Sequence, residues 1–285
     1  MSTDAQTAHL VNRRLYRIVR GLVVLVLTGV IVAGFLGEIP QLDILEQSAR
    51  NLYFHVPMWF TLMAATIVSA YHSARHLRSG ARIRDVRARE AARIALIFGG
   101  LGIVTGMVWA RFTWYEGTGV WWNFDPKQSM AAVLLLIYGG YFVLRDAIDT
   151  PSTRGRMAAV YNLFAVVTMP FLLYILPRQM PSLHPGGEGS PAFSQTDLAP
   201  AMRWVFYPSV LAFLGLFWLL YTQRVASPGF ARPCALNSER RSPLASRTRP
   251  TRRCLPSSAL CACSTVPDRV RTFRCPHDDP PDSVG

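Results

Sequence analysis

Lysine is almost missing from this chain, cysteine is confined to one end, and charge of either sign is scarce. Of 285 residues only 16% are Asp, Glu, Lys or Arg, and the one lysine is Lys127. Soluble domains carry about 25% charged residues, so the shortage argues against a soluble enzyme. With 51% hydrophobic residues and a mean hydropathy of +0.21, the expected solvent is lipid. All five cysteines (Cys234, Cys254, Cys261, Cys263, Cys275) fall in residues 225–285, together with nine prolines, ten arginines and no sustained apolar period. That composition predicts a disordered tail; a frameshifted end would read the same way. No C-x-x-C pair occurs, so the spacings that serve zinc or thioether attachment are absent.

Other absences narrow the function. There is no G-x-x-x-x-G-K-[ST], which excludes ATP hydrolysis through a P-loop. No serine, cysteine or carboxylate pair presents itself as a nucleophile, and no string of carboxylates inside the apolar runs suggests a proton relay. Asn162, alone in such a run, reads as helix-packing glue. The expectation is a protein that is not an enzyme.

What is present is hydrophobic length. A bilayer core about 30 Å thick takes about 20 apolar helical residues, and six stretches qualify or nearly so: Tyr16 to Gly37, Val56 to Ala74, Ala91 to Ala110, Ser129 to Leu144, Met157 to Leu176 and Trp204 to Thr222. Arginines precede the first run as they would in a signal peptide, but the run is long and no A-x-A site follows, so a retained helix is expected. Pro170 predicts a kink in the fifth helix, and Gly99, Gly100 and Gly102 predict close approach along the third.

The formal net charge of +13 is arginine, and its distribution matters more than its size. Arg13, Arg14, Arg17 and Arg20, then Arg75, Arg78, Arg82, Arg84, Arg87, Arg89 and Arg93, then Arg145, Arg154 and Arg156 fall on one side, fourteen in all. The other side receives Arg50, Arg111, Lys127, Arg178 and Arg203, which is five. By the positive-inside rule the richer side is cytoplasmic, and an even number of spans returns both termini to it. Topology thus accounts for the basic charge without nucleic acid. The expected fold is an all-α integral membrane bundle of six transmembrane helices over 11–224, both termini cytoplasmic, followed by the 225–285 tail.

This orientation collects the chemically distinctive residues on the outer side. His55 sits at the outer end of the second helix, where Pro57 suits a first turn. "GVWWNFDPKQ" (Gly119 to Gln128) lies in the second outer loop, and His184 in the third. His72 and His76 lie at the inner end of the second helix, about 25 Å from His55 at 1.5 Å rise per residue, too far to share its site. The rings of Trp114, Tyr115, Trp121, Trp122 and Phe124 would form an aromatic belt at headgroup level or a platform for a planar ligand. Asp125, Pro126 and Gln128 match an N-cap, a first-turn proline and a capping-box partner. Singly, His55 would be a polar anchor and His184 an ordinary loop residue. Together, two outward histidines flanking an aromatic platform are what a haem iron needs for axial nitrogens on its two faces. Arg111, Lys127 and Arg178 are on the side where propionates would want cations, unless they are solvated surface charges.

These segments resemble a known family. "WWNFDPKQ" is similar to the tryptophan-rich WWD signature of the CcmC/CcsA haem-handling proteins of cytochrome c maturation, and "LYFHVP" and "SLHPGG" resemble the family's two histidine segments. Order, spacing and topology resemble the six-helix CcmC branch from about Val11 to Arg224, rather than the larger CcsA-type synthase subunit. "LAPAMRWVFYPSV" looks like the family's last-helix start. The resemblance implies noncovalent haem b in transit on the outer face of the bacterial inner membrane, with His55 and His184 as axial ligands and Trp121, Trp122, Phe124 and Asp125 as the platform. It also implies partners: a CcmE-like haem chaperone, the ABC-transporter subunits CcmA and CcmB, and a CcmD-like small membrane protein. Two features depart from the pattern. Phe124 stands where the family has tryptophan, keeping a stacking face but losing the indole N–H, and Trp114 is separated from Trp121 by the longer "YEGTGV". A CcsA-like haem lyase subunit and a permease with an aromatic belt and no haem are the alternatives.

Overall fold

In the computed structural model, residues 3–40, 46–114, 120–184 and 198–226 are described. The 227–285 portion of the expected tail and Tyr115 lie outside them. Six long helices carry these residues: α1 (Thr3–Leu36), α2 (Leu52–Ser79), α3 (Arg82–Thr113), α4 (Pro126–Asp146), α5 (Pro151–Pro170) and α6 (Pro200–Ala226). Each contains a window long and apolar enough to cross a membrane, and no strand occurs among the described residues. The chain is an all-α, multi-pass membrane protein.

α2 is the hub: it packs on α3, α5 and α6, while α1 leans on α6 and α4 bridges α3 and α5. Small residues let these backbones approach. Ala65, Ala92, Ala95, Ala158 and Ala165 are buried in the core beside Leu62, Phe98, Leu134 and Phe213, as expected where lipid removes the usual hydrophobic drive and packing decides. A Cβ at Gly99 would run into Leu62 and Leu135, and one at Gly102 would meet the Trp59 ring, whereas Gly100 faces open space. Asn162 is fully buried and donates to Ser69 Oγ and Ser73 Oγ at 2.7 and 2.8 Å, holding α5 to α2. The lipid-facing surface is apolar, as on α1, where Leu15, Ile18, Leu22 and Leu25 are exposed.

At the arginine-rich end, α2 closes with Gly80 at φ 64°, whose N–H donates to His76 O at 2.8 Å. That left-handed turn needs glycine and lets α3 return antiparallel. Three arginines expected to be mere topology markers, Arg89, Arg93 and Arg145, are paired here. Arg145 forms a two-pronged bond to Asp85 at 2.6 and 2.8 Å and donates to Tyr141 Oη. Arg93 reaches the fully buried Glu90 at 3.1 Å.

At the opposite end, α2 begins one turn earlier than the sequence suggests, because a 3-10 turn over Glu46–Asn51 feeds it. Pro57 therefore sits inside the helix. Having no N–H, it leaves Tyr53 O without its helical partner, and Ser209 Oγ of α6 donates to that carbonyl instead. Arg50 closes the end of α1 by donating to Gly34 O at 3.0 Å and Gly37 O at 2.6 Å, a cation where helix carbonyls are unsatisfied. In α5 the α-helical pattern stops at Pro170; a π-helical turn, Phe171–Ile175, and a 3-10 turn, Leu176–Gln179, follow. The expected kink is thus a change of helix type, after which Tyr174 and Arg178 share a cavity with the first turns of α2.

Candidate functional site

A cavity opens at the end of the bundle opposite the arginine-rich loops, and α2, α3, α4, α6 and the turns after α5 all contribute to its wall. On α2, His55, Trp59 and Met63 line it at four-residue spacing, so they share one helix face. On α3, Gly102, Gly106, Trp109 and Thr113 line it at spacings of three and four residues, again on one face. Lys127, Gln128 and Ala131 come from α4, Tyr174 and Arg178 from the turns after α5, Phe206 from α6, and Trp114 and His184 from the chain beyond the helices.

His55 is buried, and its Nδ1 lies 3.0 Å from Thr105 Oγ1. Trp59 and Trp109 present to its ring at 6.2 and 6.0 Å between centroids, both close to perpendicular. The His184 ring stands 6.2 Å from His55, tilted by 37°. It is also 6.2 Å from the Trp114 ring, edge-on. Two histidines separated by 129 positions therefore meet across one apolar cavity.

Asp125 fastens the second histidine segment. As the α4 N-cap, its Oδ1 accepts from Lys127 N at 2.9 Å. Its Oδ2 accepts from both Ser182 Oγ and Leu183 N at 2.8 Å, and Ser182 Oγ accepts from His184 N at 3.1 Å. The carboxylate is 5% exposed, so little water competes for it. The N-cap and first-turn proline are as expected, but the capping box is not closed by Gln128. Asn123 Oδ1 accepts from Asp125 N at 3.1 Å, while Gln128 Nε2 turns back to Trp121 O at 3.5 Å, long for a hydrogen bond.

The other expected residues divide in two. Trp114, Lys127 and Arg178 line the cavity with the histidines. Arg178 also lies over the Tyr174 ring, 5.7 Å from its centroid. Trp121, Trp122, Phe124 and Arg111 fall outside that lining. Arg111 stacks 4.7 Å over the Trp121 ring, a cation–π contact, and Trp122 meets Phe124 edge-on at 6.3 Å. Phe124 is 79% exposed and has φ 59°, the one positive φ among described non-glycine residues. A bulky residue there carries strain, held by the Asn123–Asp125 bond on one side and the α4 start on the other.

Sequence reasoning missed Trp59, Trp109, Thr105, Tyr174 and Ser182. The tryptophans were counted as hydrocarbon. The signal that could have found them is spacing: Trp59 is four residues after His55, and Trp109 four after Thr105, one helical turn in each case.

His72 and His76 lie at the other end of α2, with His76 Nδ1 near Ala81 O at 3.1 Å and His72 Nδ1 near Arg84 at 3.5 Å. No group of three or more metal-ligating side chains occurs among the described residues. The cavity's polar lining comprises two imidazoles and two cationic side chains, with the neutral Thr113, Gln128 and Tyr174 beside them, set in aromatic walls. That donor set fits an iron porphyrin better than a bare ion: imidazole nitrogens for the metal, ring faces for the macrocycle and cations for carboxylates.

Comparison with known proteins agrees with this chemistry. The family model described as "CcmC: Heme exporter protein C" matches residues 2–235. The chain is similar to a protein named heme exporter protein C from Escherichia coli, at 29% identity over 181 residues, covering 62% of this chain and 69% of that one. It is also similar to the protein of that name from Bradyrhizobium diazoefficiens, at 31% over 127 residues, 45% of this chain and 47% of that one. A shorter match, 33% over 67 residues, 24% of this chain and 20% of the other, is to a cytochrome c biogenesis protein CcsA from Prochlorococcus marinus.

Proposed function

The chain belongs to the heme exporter protein C family, which handles haem in cytochrome c biogenesis, and from that premise we propose that it binds haem b noncovalently at the outer face of the inner membrane. His55 and His184 would take the two axial positions of the iron. The observation that carries the proposal is their 6.2 Å centroid separation across a cavity walled by Trp59, Trp109 and Trp114. Two imidazoles on opposite faces of one metal, with nitrogen–metal bonds of about 2.0 Å, hold their centroids roughly 6 Å apart. Lys127 and Arg178 would receive the propionates.

The remaining aromatic residues, Trp121, Trp122 and Phe124, form the outward ledge beside this cavity. Its exposed ring at Phe124 suits contact with the edge of a porphyrin or with the protein that receives it. We place the chain in a handover rather than in catalysis: haem is presented to a CcmE-like chaperone, in an assembly with CcmA, CcmB and a CcmD-like subunit. The arginine asymmetry of the loops supports an outer, periplasmic site.

The test is direct. Protein purified in detergent from haem-replete cells should show the visible spectrum of low-spin haem with two nitrogen ligands, and should give up that haem to purified chaperone. A folded, monodisperse protein with no haem would overturn the reading. The short stretch shared with a CcsA protein keeps one second reading, a lyase subunit. It predicts a neighbouring gene for a protein with a large outer domain and no chaperone gene.

A further inference from the structure

We propose that Thr105 and Gly106 of α3 form a seat that holds the His55 imidazole as its Nδ1–H tautomer, leaving Nε2 as the ligating nitrogen. The ligating role rests on the haem reading above; the tautomer does not.

The argument is one of proton counting. Thr105 Oγ1 lies 2.9 Å from Leu101 O and 3.1 Å from Gly102 O. Carbonyl oxygens only accept, so the single hydroxyl proton is committed to them. Toward His55 Nδ1, at 3.0 Å, the hydroxyl has only a lone pair to offer, and Nδ1 must donate. A neutral imidazole has one N–H, so Nε2 keeps its lone pair for a metal. Ligating histidines are oriented in this way by a partner on the other ring nitrogen.

The surroundings restrict the ring to that pose. A Cβ at Gly106 would stand 2.9 Å from His55 Cε1, so glycine is what lets the ring lie against α3. The edges of Trp59 and Trp109 limit its rotation on two other sides. Asn51 Nδ2 donates to Thr105 O at 3.1 Å, locking this turn of α3 to the start of α2. His184 is held differently, through its backbone and the Asp125 carboxylate. His55 is thus the pre-set ligand, and His184 the one whose position depends on a loop.

The experiment has two arms on the full-length protein in detergent. Nitrogen-15 NMR of histidine-labelled protein without haem reads the tautomer of the signal lost in His55→Ala. Hemin titration reads affinity and spin state in Thr105→Val, Thr105→Ser and Gly106→Ala. The expected result is an Nδ1–H signal in the parent and in Thr105→Ser, lost or mixed in Thr105→Val. Hemin affinity should fall about 10- to 100-fold in Thr105→Val, the usual range for an outer partner of a metal ligand, and should recover in Thr105→Ser. Gly106→Ala should lower affinity with the hydroxyl still present. An Nε2–H signal in the parent overturns the proposal, as does unchanged hemin affinity in a folded Thr105→Val. If the Nδ1–H tautomer is found but the parent binds no hemin, the seat stands and the haem reading falls.

Discussion

Replacing Asp125 with alanine should weaken haem binding by about two orders of magnitude, although the residue does not line the cavity. Its carboxylate accepts three hydrogen bonds, one from the α4 cap and two from the Ser182–Leu183 segment that carries His184. Bonds to a charged acceptor contribute about 1.5–3 kcal/mol each, so the two links to the histidine segment are worth at least about 3 kcal/mol. Without them that ordering must come out of the binding free energy, and 1.4 kcal/mol is tenfold in affinity. The lost cap adds about 1 kcal/mol against α4, a stability effect to be read separately by thermal denaturation. Asp125→Asn should fall between: its amide oxygen can keep the Lys127 cap, while its NH2 can donate to Ser182 Oγ but cannot accept from Leu183 N. The decisive assay is a double-mutant cycle by hemin titration. If Asp125 acts through His184, then adding Asp125→Ala to His184→Ala should cost almost nothing further. An equal loss in both backgrounds, or none in either, would refute the latch.

Four further outcomes are expected. His55→Ala and His184→Ala should each convert the low-spin haem spectrum to one with a missing nitrogen ligand, whereas His72→Ala, at the far end of α2, should leave it unchanged. Trp114→Ala should lower haem content, measured by pyridine haemochrome assay on purified protein, more than Trp122→Ala does, because Trp114 lines the cavity and touches His184; unchanged haem in both would favour a bare aromatic belt. Asn162→Leu should lower thermal stability by about 1–2 kcal/mol, the range for interhelical polar contacts in membranes, with hemin affinity intact. Arg145→Met should cost about 3–5 kcal/mol by stranding Asp85, and the double change with Asp85→Leu should recover much of it; a double variant no more stable than Arg145→Met would contradict that.

How far the chain reads itself depends on the range of the physics. Six apolar runs were legible because hydrocarbon accepts only helices that satisfy their own backbone, and each run predicts a helix without knowing its neighbours. The helices extend beyond those runs, as α3 does to Arg82, because arginines continue a helix out of the hydrocarbon. The Asp125 cap and its proline were legible because they are local. Gln128 was misplaced because Asn123, two residues before the cap, reaches the same N–H first. Pro57 was read as a first-turn proline although it lies one turn further into α2, because the donor that tolerates it there, Ser209, lies 152 residues away.

The sequence by itself determined the number of apolar spans, and that His55, His184 and the tryptophan-rich loop fall at the same end of the bundle. Those properties follow from hydropathy and charge, which act residue by residue. Only the tertiary structure decided that Trp59 and Trp109 wall the cavity, that Thr105 meets His55, and that Asp125 reaches across 57 residues to Ser182 to hold the His184 segment. These are pairings between helix faces and loops, set by how α2, α3 and the turns after α5 pack, and no local period encodes them.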